Sequence, residues 1–368
     1  MPTRDLIVVG ASAGGVEALR TFVAGLPGDL DAAVAVVLHL PAGGTSALAG
    51  ILNRAGPLPA VNASDGMALR RGRVHVAPPD HHLLVVDGAV HLSHGPTENG
   101  HRPAVDALFR SAASAHGARV IGIVLSGALD DGTAGMITIA ARGGLTVVQD
   151  PDDALYAGMP TSVLRHVKAD HVLPAAKMGA LLEDCVGVAV DDQPAEDRSR
   201  DDPIPGNGHP GEDRSREDRP GRDRLGTADL ARRETAISAA DGGVHADEVI
   251  PLGRPSTFSC PDCSGALVEL NAEPKRFRCQ VGHAWTAEAL LDAQGVALEK
   301  AVWTALRTLE EKANLARRMR GDAHARGADL LVRRFERTEE EAAHAADVLR
   351  RHLLSGTFTR PADEETAT

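Results

Sequence analysis

The sequence predicts an α/β protein: a doubly wound, mostly parallel sheet with helices on both faces, followed by a small cysteine-containing unit and a C-terminal helical hairpin. Three observations carry this. Short all-apolar runs alternate with helix-period segments through the first half, the pattern of βα units in a sheet buried on both faces. A charge-rich stretch almost without apolar residues then interrupts it. Beyond that, apolar residues recur at three-and-four spacing to near the C-terminus.

Leu6–Val9 reads as a buried strand, Val16–Leu26 as a helix and Ala33–Leu38 as the second strand. Arg73–Pro78 and Leu83–Leu92 follow, and Asp87-Gly88 within the latter signals a tight hairpin inserted in the parallel pattern. Pro103–His116 is predicted helical, Val120–Leu125 a continuous apolar strand, Gly132–Arg142 helical and Leu145–Val148 a strand. These elements assign residues 1–188 to one domain. Residues 191–224 hold 18 charged residues, five prolines, four glycines and only two apolar residues, Ala195 and Ile204. That is too little apolar surface to offset the entropy of ordering. Residues 189–250 are therefore expected to be a disordered charged linker, with Gly226–Glu248 continuing it. Few contacts should cross such a tether, so the first domain is expected to fold alone.

Order is expected to resume at Pro251, with a compact unit over 251–286, an amphipathic hairpin over 287–354 and a disordered tail over 355–368. One helix carries Leu291, Leu298, Val302, Ala305, Leu309, Ala316 and Met319 on a face. The other carries Leu331, Phe335, Thr338, Ala342, Ala345, Leu349 and Leu353, and the turn falls near Gly321–Gly327. Such helices pack as an antiparallel pair or a coiled-coil dimer, so a helix-mediated partner or self-association is expected.

The 368 residues carry a formal charge of −12, which argues against nucleic acid as a partner because backbone binding rests on Lys and Arg. No apolar run is long enough for a membrane helix, so no direct membrane insertion is expected. Met1-Pro-Thr-Arg4-Asp5 leads straight into a strand and not into a signal peptide. Four cysteines are too few for a disulfide scaffold. A cytoplasmic location is expected.

Gly10-Ala-Ser12-Ala-Gly14-Gly15 joins the first strand to the first helix. Ser12 stands where a dinucleotide-binding turn needs its second glycine, and the lysine of a phosphate-binding loop is missing. The string does match Gly-x-Ser-x-Gly, the elbow that exposes a serine above a parallel sheet. A plain small-residue turn is the alternative. The other strand ends weigh against it: His39 follows the second strand, and Asp130-Asp131-Gly132 follows the strand at Val120. Functional groups in an open parallel sheet collect at the carboxyl ends of strands. Serine, histidine and aspartate at one edge suit nucleophilic catalysis, with the amides of the following helix N-terminus available to a developing oxyanion. The residues alone leave Asp130 and Asp131 open. His75, His91 and His94, in or beside the hairpin, have no special claim.

At this point the chain resembles the catalytic domain of the bacterial chemotaxis protein-glutamate methylesterases (CheB-type). The resemblance is carried by Gly10–Gly15, His39-Leu-Pro41, Val76-Ala-Pro-Pro79, His101-Arg-Pro-Ala-Val-Asp106, Leu125-Ser-Gly127, Asp131-Gly-Thr-Ala-Gly-Met136 and Gly158-Met-Pro160. It implies a triad of Ser12, His39 and Asp131. It also implies hydrolysis of glutamate γ-methyl esters on a chemoreceptor or receptor-like helical protein, releasing methanol, with deamidation of glutamines as a companion activity. No catalytic cofactor is implied. Relative to that pattern, Ala13 replaces a threonine and Ala128-Leu-Asp130 replaces Met-Gly-Asn. The receiver domain usual in the family is expected to be lacking, since the resemblance begins near residue 6. The rival reading is a catalytically weak scaffold or docking module.

Cys260-Pro-Asp-Cys263, then Cys279 and His283, form a ligand set for a structural zinc in a ribbon-like unit. A redox dithiol and incidental thiols are the alternatives. Phe258, Phe277 and Trp285 flank the knuckles and could supply a miniature core. Four protein ligands leave no position for a reactive water, so the metal is expected to have no part in catalysis. Cys185 is expected simply to be buried.

Overall fold

The computed structural model describes residues 1–43, 46–191, 226–241, 244–270 and 272–355. Residues 192–225 of the linker expected over 189–250, and the tail beyond 355, lie outside the described residues. The first domain runs β1 (Leu6–Ala11), α1 (Gly15–Ala24), β2 (Ala33–Leu38), α2 (Leu48–Ala55), β3 (Ala60–Asn62), β4 (Arg73–Val76), β5 (His82–Val86), β6 (Ala89–Ser93), α3 (Val105–His116), β7 (Val120–Val124), α4 (Thr133–Ala141), β8 (Leu145–Gln149), α5 (Gly158–His166), β9 (His171–Leu173) and α6 (Met178–Cys185). Seven of these strands form one parallel sheet in the order β3-β4-β2-β1-β7-β8-β9. The hairpin is β5–β6, turned by Asp87 at φ 48° and Gly88 at φ 76°.

Alternation along each strand divides the sheet's side chains between two cores. Ile7, Val9, Val34 and Val36 pack on Leu19 and Phe22 of α1 and Leu52 of α2, with Met178 and Leu182 of α6. Leu6, Val8, Ala35 and Val37 pack on Leu108 and Phe109 of α3, with Met136 and Ile139 of α4. Every residue of β1 and β2 is buried, which explains why these strands read as unbroken apolar runs. The chain leaves β1 for β2 on one side and later returns to β7 on the other, so a crevice opens at the carboxyl ends of β1, β2 and β7.

The charged linker does not continue to Glu248. Thr227–Ser238 is a helix, α7, and Ala246–Val249 a single helical turn, α8. Leu230 and Ile237 are buried, in a small core with Val249, Leu252 and Leu270. Composition hid this helix because its polar positions Glu234 and Ser238 are buried too, against partners far away in sequence.

The cysteine unit is an antiparallel sheet of β10 (Gly253–Ser259), β11 (Ala266–Leu270), β12 (Arg276–Cys279) and β13 (Ala284–Thr286). It does not stand apart from the first domain: Met1–Ala289 form one unit. Ala284 N–H donates to the Thr97 carbonyl at 3.1 Å, and Asn99 N–H donates to the Ala284 carbonyl at 2.8 Å. Phe277 and Trp285 are buried as expected, but Phe258 is 43% exposed and meets Phe277 only edge-on.

The second unit, Leu290–Thr368, contains most of α9 (Ala287–Ala325) and all of α10 (Asp329–Leu354), which turn at Gly327 with φ 66°. The buried seam is built from Leu306, Ala313, Ala316 and Ala323 against Ala342 and Ala346. Leu291, Leu298 and Met319, expected on the packed face, are exposed. Two helices can bury only one stripe each, and alanine allows the closest approach. Arg317 and Arg320 pair with Glu339 across the hairpin at 2.8 and 3.3 Å. No described helix is long and apolar enough to cross a membrane.

Candidate active site

β1 ends in the turn that carries Ser12 into α1. Gly14 there has φ 68°, and a Cβ would lie 2.7 Å from Ser126 Oγ and 2.9 Å from Leu155 Cβ, so only glycine fits. Ser12 N–H donates to the Ser126 carbonyl at 3.0 Å, tying the elbow to the end of β7. Ser12 Oγ stands 3.0 Å from His39 Nδ1, and His39 Nε2 stands 2.7 Å from Asp131 Oδ2. The His39 and Asp131 side chains are 6% and 3% exposed. Three strand ends thus deliver one continuous hydrogen-bonded chain.

Asp131 is also seated on the start of α3, where Val105 N–H donates to Oδ2 at 2.8 Å and Asp106 N–H to Oδ1 at 3.1 Å. Burial pushes its carboxyl up, but the His39 bond and charge and the Val105 amide outweigh this and hold it below the ordinary value. Asp106 accepts from Gly132 N–H at 3.1 Å and Gly135 N–H at 2.7 Å, bracing the loop that carries Asp131. Burial, then the charge of Asp131, pushes Asp106 well up, so of this pair Asp131 carries the charge. An ionised Asp131 is only an acceptor, so the imidazole proton sits on Nε2 and Nδ1 is left bare toward the Ser12 hydroxyl.

The neighbouring aspartate faces elsewhere. Asp130 accepts from Thr286 Oγ1–H at 2.7 Å, and burial, with the charges of Glu288 and Asp131 adding to it, pushes Asp130 up to about 7. The choice the residues alone left open is therefore resolved geometrically: His39 bonds to Asp131. Leu129, just before, has φ 59°, a conformation costly for a branched side chain. Against the other face of His39 lies His101, with ring centroids 3.8 Å apart and planes 16° from parallel. Burial, then the nearby His39, pushes His101 down to about 4, so it is uncharged near neutrality.

Sequence reasoning did not assign roles to Asn99, His101, Asp106, Ser126 or Thr286. His101 and Asp106 lay within a quoted motif, whereas nothing local marked Thr286. His75, His91 and His94 are indeed elsewhere: His75 Nε2 accepts from Arg70 N–H, and His91 pairs with Asp65.

Cys260, Cys263, Cys279 and His283 converge, with all four ligand atoms within 4.8 Å of one another. Cys263 and Cys279 Sγ are 3.6 Å apart, and His283 Nδ1 lies 3.6 Å from Cys260 Sγ and 3.5 Å from Cys279 Sγ. A tetrahedral zinc, with Zn–S near 2.3 Å and Zn–N near 2.0 Å, requires edges of about 3.8 and about 3.5 Å. The cluster therefore fits such an ion and could hold a metal.

Residues 7–182 match the family model described as CheB methylesterase. A protein of Methanosarcina mazei named protein-glutamate methylesterase/protein-glutamine glutaminase 2 is 38% identical over 183 residues, covering 48% of this chain and 50% of that protein. One of Geobacter metallireducens, named protein-glutamate methylesterase/protein-glutamine glutaminase 3, is 39% identical over 176 residues, covering 47% of this chain and 49% of its own. The chain thus spans about half the length of the curated relatives it matches. The crystal structure of the Thermotoga maritima CheB methylesterase catalytic domain is 34% identical, covering 50% of this chain and 100% of that one with a TM-score of 0.48. The sheet and the strand-end constellation described above thus lie within a CheB methylesterase domain that spans residues 7–182.

Proposed function

We propose that this protein is a serine hydrolase that removes methyl groups from glutamate γ-methyl esters on a chemoreceptor-like helical protein. The observation that carries the reading is the chain Ser12 Oγ, His39 Nδ1, His39 Nε2, Asp131 Oδ2, with links of 3.0 and 2.7 Å. Ser12 attacks the ester carbonyl carbon while His39 Nδ1 takes its proton, and Asp131 offsets the imidazolium charge. Collapse of the tetrahedral intermediate passes that proton to the departing methoxide, releasing methanol and leaving an acyl-enzyme. His39 then deprotonates a water, which attacks the acyl carbon and frees Ser12 and the glutamate. With a glutamine amide as substrate the same sequence releases ammonia. The N-terminus of α1 abuts Ser12 and supplies backbone amides to the oxyanion.

The metal reading is a structural zinc on Cys260, Cys263, Cys279 and His283. It cross-links a unit too small to hold its fold on apolar burial, with no open coordination position and no catalytic part. Reduced thiolate ligands support a cytoplasmic location. Exposed Leu291, Leu298 and Met319 on α9 support a helix-mediated contact with a partner or a second copy.

A fluorophosphonate probe should label the protein at Ser12, and Ser12→Ala should abolish labelling. His39→Ala and Asp131→Ala should each cost several orders of magnitude in methanol release while the domain stays folded. Undiminished labelling of Ser12→Ala, or an active Asp131→Ala beside an inactive Asp130→Ala, would overturn the reading in favour of a scaffold or another site.

A further inference from the structure

The cysteine unit meets the first domain at the turn Glu98–His101, which presents His101 to His39. This turn is closed by Glu98 N–H to the His101 carbonyl at 3.1 Å and His101 N–H to the Glu98 carbonyl at 2.8 Å. Both central residues are left-handed, Asn99 at φ 52° and Gly100 at φ 74°. A non-glycine residue holds that conformation only where its surroundings fix it.

Here the surroundings come largely from β13. Asn99 N–H donates to the Ala284 carbonyl, and Thr286 N–H donates back to Asn99 Oδ1, both at 2.8 Å. Ala284 N–H reaches the Thr97 carbonyl, so Glu98 forms a parallel β-bridge with Ala284 of β13. Trp285 is 4% exposed and its ring packs over Gly100, 3.5 Å from where a Cβ would stand. Thr286 Oγ1 holds Asp130, the residue before Asp131. The remaining cavity at this junction has a volume of about 10 Å³, room for no more than a single water.

The same strand is closed by the metal cluster. Cys279 ends β12, His283 immediately precedes β13, and Cys279 N–H donates to the His283 carbonyl at 3.0 Å. We propose that the metal-loaded cysteine unit is a built-in brace for the active site. It holds the Glu98–His101 turn and Asp130, and so seats His101 on His39 and Asp131 beneath it. Metal occupancy thereby sets the reactivity of Ser12, an inference that rests on the hydrolase reading above. His101 acts through His39 and is a positioning residue. Its flat contact fixes the imidazole plane, and only one plane lets Nδ1 meet Ser12 while Nε2 meets Asp131. A misplacement of about 1 Å at such a centre is enough to slow reaction by one to two orders of magnitude.

The test uses the full chain, loaded with one zinc and then stripped by a chelator. Stripping should lower the rate of fluorophosphonate labelling about tenfold and shift Trp285 emission to the red, and added zinc should restore both. With zinc bound, His101→Ala should show the same loss and an altered pH profile, and His101→Phe, which keeps a flat ring, should recover much of the rate. A zinc-free chain that labels at the full rate, or a fully reactive His101→Ala, would overturn the proposal. So would a loss of rate accompanied by loss of amide-exchange protection in β1 and β7, since that is unfolding and not misplacement. If the zinc-loaded protein is not labelled at all, the hydrolase reading fails instead. Exchange at the Asn99 and His101 amides then still decides the brace, which is refuted if zinc leaves it unchanged.

Discussion

Gly10 illustrates how a missing side chain seats the site. A Cβ there would lie 2.2 Å from Val105 Cγ1, and Val105 is the residue whose amide holds Asp131 Oδ2. Gly10→Ala should therefore push the start of α3 away from the sheet, costing about 1–3 kcal/mol by overpacking. Its methanol-release rate should fall as well, although the residue touches no reacting atom; an unchanged rate in the folded variant would dissociate Val105 from the site. Asp130 makes a separate prediction. Its folded pKa of about 7 exceeds the ordinary 3.8, chiefly through burial, so the native state keeps a proton that the unfolded chain has lost. Its stabilising effect is complete below pH 4 and is lost as pH rises through 7, by up to about 4 kcal/mol. Asp130→Asn, which keeps an acceptor for Thr286, should match wild type below pH 4 and exceed it above pH 7 in urea unfolding. A constant difference across that range would contradict the assignment.

Between elements, the decisive contact is a buried ionic network. Glu98 accepts from Arg110 of α3 at 2.6 and 2.8 Å, while Arg278 of β12 lies 3.3 Å from both Glu98 and Glu234 of α7. Arg276 adds a 2.7 Å bond to Glu234. Burial alone would raise Glu98, but the guanidinium groups of Arg110 and Arg278 hold it far below the ordinary carboxylate range. Removing one member of such a network strands its partner without water. Arg278→Ala should thus cost about 3–5 kcal/mol in chemical unfolding, whereas Lys275→Ala, which removes the exposed pair with Glu269, should cost only a small fraction of that. Equal costs would mean that the three elements are not joined through these charges.

The two large cores flanking the parallel sheet draw all their residues from before residue 187. A chain ended at residue 188 should accordingly fold. It would lack Arg278, Ser238 and all of β13, leaving Glu98 with Arg110 alone and the Glu98–His101 turn without its seam. Its thermal midpoint should be several degrees lower and its labelling rate close to that of the zinc-stripped full chain. A truncated protein as stable and as reactive as the intact one would show that the C-terminal half only rides along.

The sheet was legible because β1, β2 and β7 are buried on both faces and so must be apolar throughout, which composition records directly. Ser12, His39 and the Asp130-Asp131 pair were legible for a related reason: parallel topology sends strand ends to one edge whatever the loops do. Turn chemistry was equally local, and Asp87-Gly88 marked its hairpin correctly. What no local pattern could show was α7 or the seating of the cysteine unit. Glu234, Ser238, Arg278 and Thr286 look like solvated surface residues in sequence, because a buried polar residue is distinguished only by the partner it meets. For Ser238, Arg278 and Thr286 those partners, Glu98, Arg110 and Asp130, lie more than a hundred residues away. Glu234 meets Arg276 and Arg278 of β12, and only the tertiary fold brings all of these together. Local periodicity thus determined the elements and the edge where the site lies, while long-range polar pairing, which has no period, decided which aspartate faces His39 and what braces it.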